Sequence, residues 1–253
     1  MSDKIVTAAM VAIGDELLSG KTKDKNIAHL ADMLTTAGIE LKEVRIVGDD
    51  EPEIVAAVNA LRERYTYVFT SGGIGPTHDD ITAEAISAAF GVPCIYDDEA
   101  LRIMGAVFEA RNMEFTESRK RMARMPEGSV HIRNRVSVAP GFTKENVHVM
   151  AGVPSIFQAM LDWLLPRLET GAVIHSQIVD CPYGEGTIGE GLEAIQNDNP
   201  DTVIGSYPKF DGETYSTQIV VRSRNTDAID RAVLAVNAML SEIGTAKSTK
   251  VQR

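Results

Sequence analysis

Apolar positions run almost unbroken from Ile5 to Ile13, the pattern of a β-strand buried on both faces. Gly14-Asp15-Glu16 ends the run. From Asp24 onward Ile27, Leu30, Ala31 and Leu34 recur at helical spacing, and Gly38 supplies a stop. Residues 39–47 alternate in part through Leu41, Val44 and Ile46, which predicts a second strand. The turn Gly48-Asp49-Asp50-Glu51-Pro52 leads into a helix face of Ile54, Val55, Val58 and Leu61. Residues 66–70 form a third strand, and Ile81, Ala85, Ile86 and Ala89 a third helix. Alternation of strand and helix predicts an α/β fold, a parallel sheet with helices on both faces.

Further along, the pattern predicts a short apolar piece at Val92-Pro93-Cys94-Ile95, helices over 98–112 and 116–124, and strands near 129–138 and 146–150. The turn Ala151-Gly152-Val153-Pro154 precedes a helix carrying Ile156, Met160, Trp163 and Leu164. Gly171 marks a boundary, so residues 1–170 are expected to form one domain and 171–253 a small α+β domain. Within the second, residues 174–180, 188–195, 202–206, 215–223 and 228–243 read as strand, helix, strand, strand, helix. The tail from Thr245 lacks apolar anchors and is expected to fray.

The candidate chemistry lies in Thr70-Ser71-Gly72-Gly73-Ile74-Gly75-Pro76-Thr77-His78-Asp79-Asp80-Ile81-Thr82. A strand that ends in a glycine-rich turn and opens a helix gathers backbone N–H groups around one point and favours an anion there. The N–H groups of Gly72, Gly73, Ile74, Gly75 and Thr77 are the candidates for holding a phosphate. Asp79 and Asp80 would repel that phosphate unless a divalent metal stood between them. In parallel sheets ligands collect beyond the carboxyl ends of the strands, where the turns at 14–16, 48–51 and 71–80 can converge. Gly14, Asp15, Glu16 and Asp49 therefore join the candidates; each could equally end a strand or start a helix.

Other motifs are absent or open. From Gly73 the spacing departs from Gly-x-Gly-x-x-Gly, and no Gly-Lys-Ser/Thr follows. His78 could donate to a phosphate, act as an acid or base, or do neither. Gly205-Ser206-Tyr207-Pro208 reads as a packing turn after a strand or as a platform for an aromatic ligand.

The net charge of -11 argues against nucleic acid as a partner, and Arg119-Lys120-Arg121 with Arg124 reads as a solvated or subunit-facing surface. Cys94 and Cys181 have no metal or redox spacing, and free thiols are expected. The first residues show no leader pattern and the first apolar run is too short to span a bilayer, which predicts a cytoplasmic protein without membrane partners.

Val11-Ala12-Ile13-Gly14-Asp15-Glu16-Leu17-Leu18-Ser19-Gly20, Asn26, Gly48-Asp49 and the glycine turn through Asp79-Asp80-x-Thr82 together resemble the molybdopterin-binding family. Within it they are most similar to the N-terminal part of the competence/damage-inducible protein A (CinA) group. Ala139-Pro140-Gly141-Phe142, Ala151-Gly152-Val153-Pro154 and Gly205-Ser206-Tyr207-Pro208 are similar to later motifs of that group. Ser137-Val138 and Ile156-Phe157 depart from it.

The resemblance implies a three-layer MogA-like α/β domain with a mostly parallel sheet, plus a small C-terminal α+β domain. It implies a ligand site that adds Asn26, Ser71, Thr82, Pro140 and Gly141 to the residues above. It further implies catalytic Asp49 and Asp80, a divalent metal (Mg, Mn or Co) on Asp49, Asp79 and Asp80, and a small-molecule nucleotide or pterin as partner. The activity implied is metal-dependent cleavage of ADP-ribose or a similar nucleoside diphosphate compound. The alternatives are molybdopterin binding or adenylylation, and a non-catalytic nucleotide-binding module. A homo-oligomer is expected. Residues 1–253 do not include the deamidase domain of fuller CinA proteins, so deamidation is not expected of them.

Overall fold

A computed structural model describes residues 4–210, 212 and 214–251, with no side-chain description beyond residue 245. The chain divides into two units, Met1–Ala172 and Val173–Arg253. The first is built on β1 (Val6–Ile13), short α1 (Asp15–Leu18), α2 (Asn26–Thr36), β2 (Ile39–Val47), α3 (Glu51–Arg62), β3 (Tyr67–Ser71) and α4 (Thr82–Phe90). Then come β4 (Cys94–Tyr96), α5 (Asp98–Ala110), α6 (Glu117–Lys120), β5 (Arg124–Pro126), β6 (Val130–Ile132), β7 (Gly141–Lys144), β8 (Val147–Met150) and α7 (Pro154–Leu164).

Six strands form the main sheet in the order β2-β1-β3-β8-β7-β6. The β1–β2, β1–β3 and β3–β8 pairs are parallel, while β7 runs antiparallel to both β8 and β6. β1 shows why the result has three layers. Ala9, Val11 and Ile13 pack with Ile54, Val58, Ile86 and Met104 on one face of the sheet. Val6, Ala8 and Met10 pack with Leu30, Leu34, Phe157 and Leu161 on the other. A strand between two helical layers must be apolar at every position, and that is how its sequence reads.

The predicted helix over 116–124 is shorter in the structure. α6 tightens into a 3-10 turn at Arg121–Ala123, and Arg124 begins β5, which pairs with β4. The strand expected near 129–138 stops at Ile132, leaving a loop up to β7. Asn134 fixes that loop: its Oδ1 accepts from Val136 N at 3.1 Å and its Nδ2 donates to Ala139 O at 3.0 Å.

The second unit has β9 (His175–Cys181), α8 (Glu185–Asp198), β10 (Val203–Phe210), β11 (Tyr215–Ser223) and α9 (Thr226–Val251). Its antiparallel sheet runs β10-β11-β9. Gly205-Ser206-Tyr207-Pro208 lies inside β10 rather than in a turn after it. β10 is an edge strand, where a proline's missing N–H does no harm. Tyr207 accepts from Arg222 Nη2 at 3.1 Å. The tail expected to fray is helical as far as Val251; Gln252 and Arg253 lie outside the described residues. Cys94 and Cys181 are free thiols. Among the described residues no helix is long and apolar enough to cross a membrane.

Candidate functional site

Because β1, β2 and β3 are parallel, the turns that follow them emerge at one end of the sheet. A cavity of about 400 Å³ opens there. Gly14, Glu16, Asp49, Gly72, Gly73, Gly75, Asp79 and Asp80 line it, so most of the residues singled out in the sequence do converge. Its lining has four carboxylates and no Lys, Arg or His. Ile74, Met122, Ile156 and Met160 give it apolar walls.

Gly72 seats the turn. Its φ is +113°, and a Cβ would lie 2.2 Å from the Ile13 carbonyl oxygen, a backbone atom that cannot step aside. Its N–H is spent on Met150 O at 3.1 Å and its carbonyl accepts from Thr82 Oγ1 at 3.0 Å. The Thr77 N–H is spent too, on Asp80 Oδ2 at 2.8 Å. Of the five N–H groups named for a phosphate, Gly72 and Thr77 are therefore structural. Those of Gly73, Ile74 and Gly75 have no acceptor among the described residues. Three successive N–H groups without acceptors, on residues that line the cavity, are the donors an anion there could use.

The carboxylates differ in their ties. Asp80 Oδ2 accepts from both the Thr77 N–H and the Thr77 hydroxyl, the latter at 2.6 Å. The same hydroxyl is the largest influence holding Asp79 below the ordinary carboxylate range, followed by Asp79's own N–H. With one proton to give, it is placed on Asp80, where the 2.6 Å contact lies. Asp49 is pushed the other way, upward, first by burial and then by repulsion from Asp15, Glu16 and Asp79. An N–H bond from Asp15 at 3.0 Å opposes that rise. Asp15 Oδ1 accepts from Asp49 N at 3.3 Å in return, so Asp15 latches two turns together and does not line the cavity. Asp50, its neighbour, caps α3 by accepting from Glu53 N.

Several expected ligand residues stand behind the cavity. Asn26 is buried and donates to Ser71 Oγ at 2.7 Å and Gly152 O at 2.8 Å, which uses both its amide protons. Its Oδ1 is a buried acceptor without a partner among the described residues, beside a recess of about 60 Å³ that Glu16 and Ser71 share. Thr82 braces the turn from inside the core. Replacing Thr82 by Val keeps its shape but leaves the Gly72 carbonyl unpaired, and should cost about 1–2 kcal/mol in urea denaturation. Pro140 and Gly141 are not at this cavity; Gly141 starts β7, where a Cβ would strike Val149 O at 2.4 Å. The loop leading to β7 turns Pro140 toward the α5 side.

Two residues escaped the sequence reading. Arg121 Nε donates to Thr77 O at 3.2 Å, and Arg124 Nη2 to Asp80 O at 3.2 Å. Arg124 is largely buried and also pairs with Glu84. This part of the basic run clamps the backbone of the glycine turn and is not a solvated face. Its only signal in the sequence was charge, which cannot say what it meets.

Among the described residues no group of three or more His, Cys, Asp or Glu converges to hold a metal ion by itself. Asp49, Asp79 and Asp80 are thus not a closed cage. Carboxylates around these N–H groups nevertheless suit a hard divalent ion that takes its remaining ligands from a phosphate and water.

Residues 9–170 match the family described as "probable molybdopterin binding domain", and residues 173–248 match the family described as "FAD synthase, middle domain". A protein of Archaeoglobus fulgidus is 35% identical, the match covering 79% of this chain and 85% of that one. A CinA-like protein of Desulfosudis oleivorans is 38% identical over 80% of this chain and 52% of its own, so the chain spans about half of that relative. The crystal structure of the protein CinA from Thermoplasma acidophilum superposes with a TM-score of 0.59 at 30% identity, covering 64% of this chain and 98% of that one.

Proposed function

The chain belongs to the molybdopterin-binding-domain family as a CinA-like member, and on that premise we propose that it is a pyrophosphatase acting on a nucleoside diphosphate linkage such as that of ADP-ribose. One observation carries the reading: a cavity with three free N–H groups for a phosphate is lined by four carboxylates and no basic side chain. An anionic ligand can enter such a cavity only with a cation.

The N–H groups of Gly73, Ile74 and Gly75 bind phosphoryl oxygens, and the apolar walls cover the nucleoside ring. A divalent ion would be held between the bound phosphate, water and carboxylate oxygens drawn from Asp49, Asp79 and Asp80, which do not meet as a set of three. When bound, that ion makes water a better nucleophile and offsets charge on the phosphoryl oxygens. Asp49, at the cavity wall, is the group placed to accept a proton from the attacking water. Water adds to one phosphorus, the bridging oxygen leaves with the other phosphate, and AMP and ribose 5-phosphate result. Glu16 faces both the cavity and the Asn26 recess and orients the ligand's hydroxyls. Assembly as a homo-oligomer belongs to the same proposal and is read by sedimentation.

The test is a panel of ADP-ribose, FAD, NAD and ATP with magnesium, manganese or cobalt, followed by chromatography. AMP released from ADP-ribose only with metal is the expected result. No AMP from any compound, with the protein folded, sinks the hydrolase. A pterin in the same cavity is the second reading, favoured by the family match, and AMP transfer to a pterin would then be the activity to measure.

A further inference from the structure

Beside the glycine-turn cavity lies another, of about 350 Å³, between α5 and the loop from β6 to β7. Ser137 lines both, so this loop is the wall between them. Their chemistries are opposite. The second lining contains Arg111, Arg133 and Arg135 and no carboxylate, over an apolar floor that includes Ile103, Val107 and Val138. In a chain with 36 acidic and 25 basic residues, three guanidinium groups around one cavity free of acid are not the average surface.

The arginines are weakly engaged. Arg133 approaches Glu99 at 3.5 Å and Arg135 approaches Asp162 at 3.8 Å, both across exposed edges where such pairs contribute little. Arg111 makes no ion pair among the described residues. The wall is held in shape independently of them. Asn134 staples the loop, and Ser137 Oγ accepts from Ala139 N at 3.2 Å. His131 Nε2 lies 2.8 Å from Asp97 Oδ1, and Asp97 caps α5 by accepting from Ala100 N at 2.8 Å. Loop, strand and helix are thus tied together around a cavity whose cations remain available.

We propose that this cavity is a second binding site, for a small organic phosphate whose ring lies on Ile103, Val107 and Val138 and whose phosphate is held by Arg111, Arg133 and Arg135. Guanidinium groups match phosphate oxygens in paired hydrogen bonds, and the volume falls at the small end of ligand sites. The proposal does not depend on the activity assigned to the glycine turn. No cation is needed here, which separates the two sites experimentally.

The probe is phenyl phosphate, with phenol as its neutral twin, titrated into the full chain with labelled Ile, Val and Ala methyl groups and no divalent metal. Saturable shifts at Ile103, Val107, Val136 and Val138 are expected, with Ala151 of the first cavity unmoved. The triple variant Arg111→Gln, Arg133→Gln, Arg135→Gln should bind at least tenfold more weakly, with its methyl spectrum otherwise unchanged because all three side chains are exposed. Phenol should not shift the set at the same concentrations. Unmoved methyls, or equal affinity in the triple variant, overturns the proposal. So does a change of the same methyls with protein concentration alone, which would mark a face between copies of the chain.

Discussion

Replacing Asp49 by Asn is expected to lower metal-dependent turnover at least about 100-fold while raising the melting temperature at pH 7. The loss follows from removing the carboxylate placed to hold the ion and take the proton. The gain in stability follows from the surroundings of Asp49, where burial and the charges of Asp15, Glu16 and Asp79 all oppose its ionisation. Its folded pKa lies above the unfolded one, so stability falls as pH rises from the unfolded value through the folded one, and the cost stays in place above that. Asn carries no charge yet keeps an oxygen for the Asp15 N–H, so the latch between the two turns survives. Wild type and variant should therefore differ in melting temperature at pH 7 without metal and converge on acidification. Added magnesium should stabilise the wild type more than the variant. Turnover within threefold of wild type would remove Asp49 from the mechanism. Asp80→Asn is the less clean test, because both Thr77 donors already point at Asp80 Oδ2.

Between pH 6.5 and 4 the first unit should lose roughly 3 kcal/mol of stability through His148 alone. This histidine is buried beside β3, its ring 5.2 Å from that of Phe69 and 5.5 Å from that of Tyr67. Nδ1 lies 2.9 Å from the Thr143 hydroxyl, and Nε2 has no partner among the described residues. Burial lowers its pKa from 6.5 to about 4. The unfolded chain binds a proton near pH 6.5 that the folded chain refuses, so stability falls as pH falls, until the folded histidine also titrates near 4. His148→Phe keeps the ring stack and removes the proton site. Urea midpoints at pH 7, 5.5 and 4.5 should fall for the wild type and fall much less for the variant. Parallel decline in both would mean that carboxylates elsewhere govern the acid limb.

Much of the first unit could be read along the chain because its signals are local. A strand covered on both faces shows nine apolar or small residues in a row, and the Gly38 stop, the turn into α3 with Pro52 in its first positions and the glycine turn are each encoded within a few residues. The short strands were less legible. β5 and β7 are only three and four residues long, too short for a period to show, and they exist because a partner strand supplies hydrogen bonds. The helix expected through residue 124 fails for a tertiary reason: Arg121 and Arg124 are drawn to the carbonyls of Thr77 and Asp80.

The sequence by itself determined the parallel α/β plan, the small second unit's element order and the gathering of Gly14, Glu16, Asp49 and the glycine turn at one sheet end. All of these follow from periodicity and from which residues end a strand. Only the tertiary structure decided which polar groups remain free once the fold is made. Gly72 N–H went to Met150, the Asn26 amide to Ser71 and Gly152, and Asp15 to its latch with Asp49. Pro140 was carried to the far side of the loop, against the arginine-lined cavity. A residue's type sets the bonds it can make, but the acceptor it meets can lie 126 positions away, as Asn26 and Gly152 show, and folding alone brings them together.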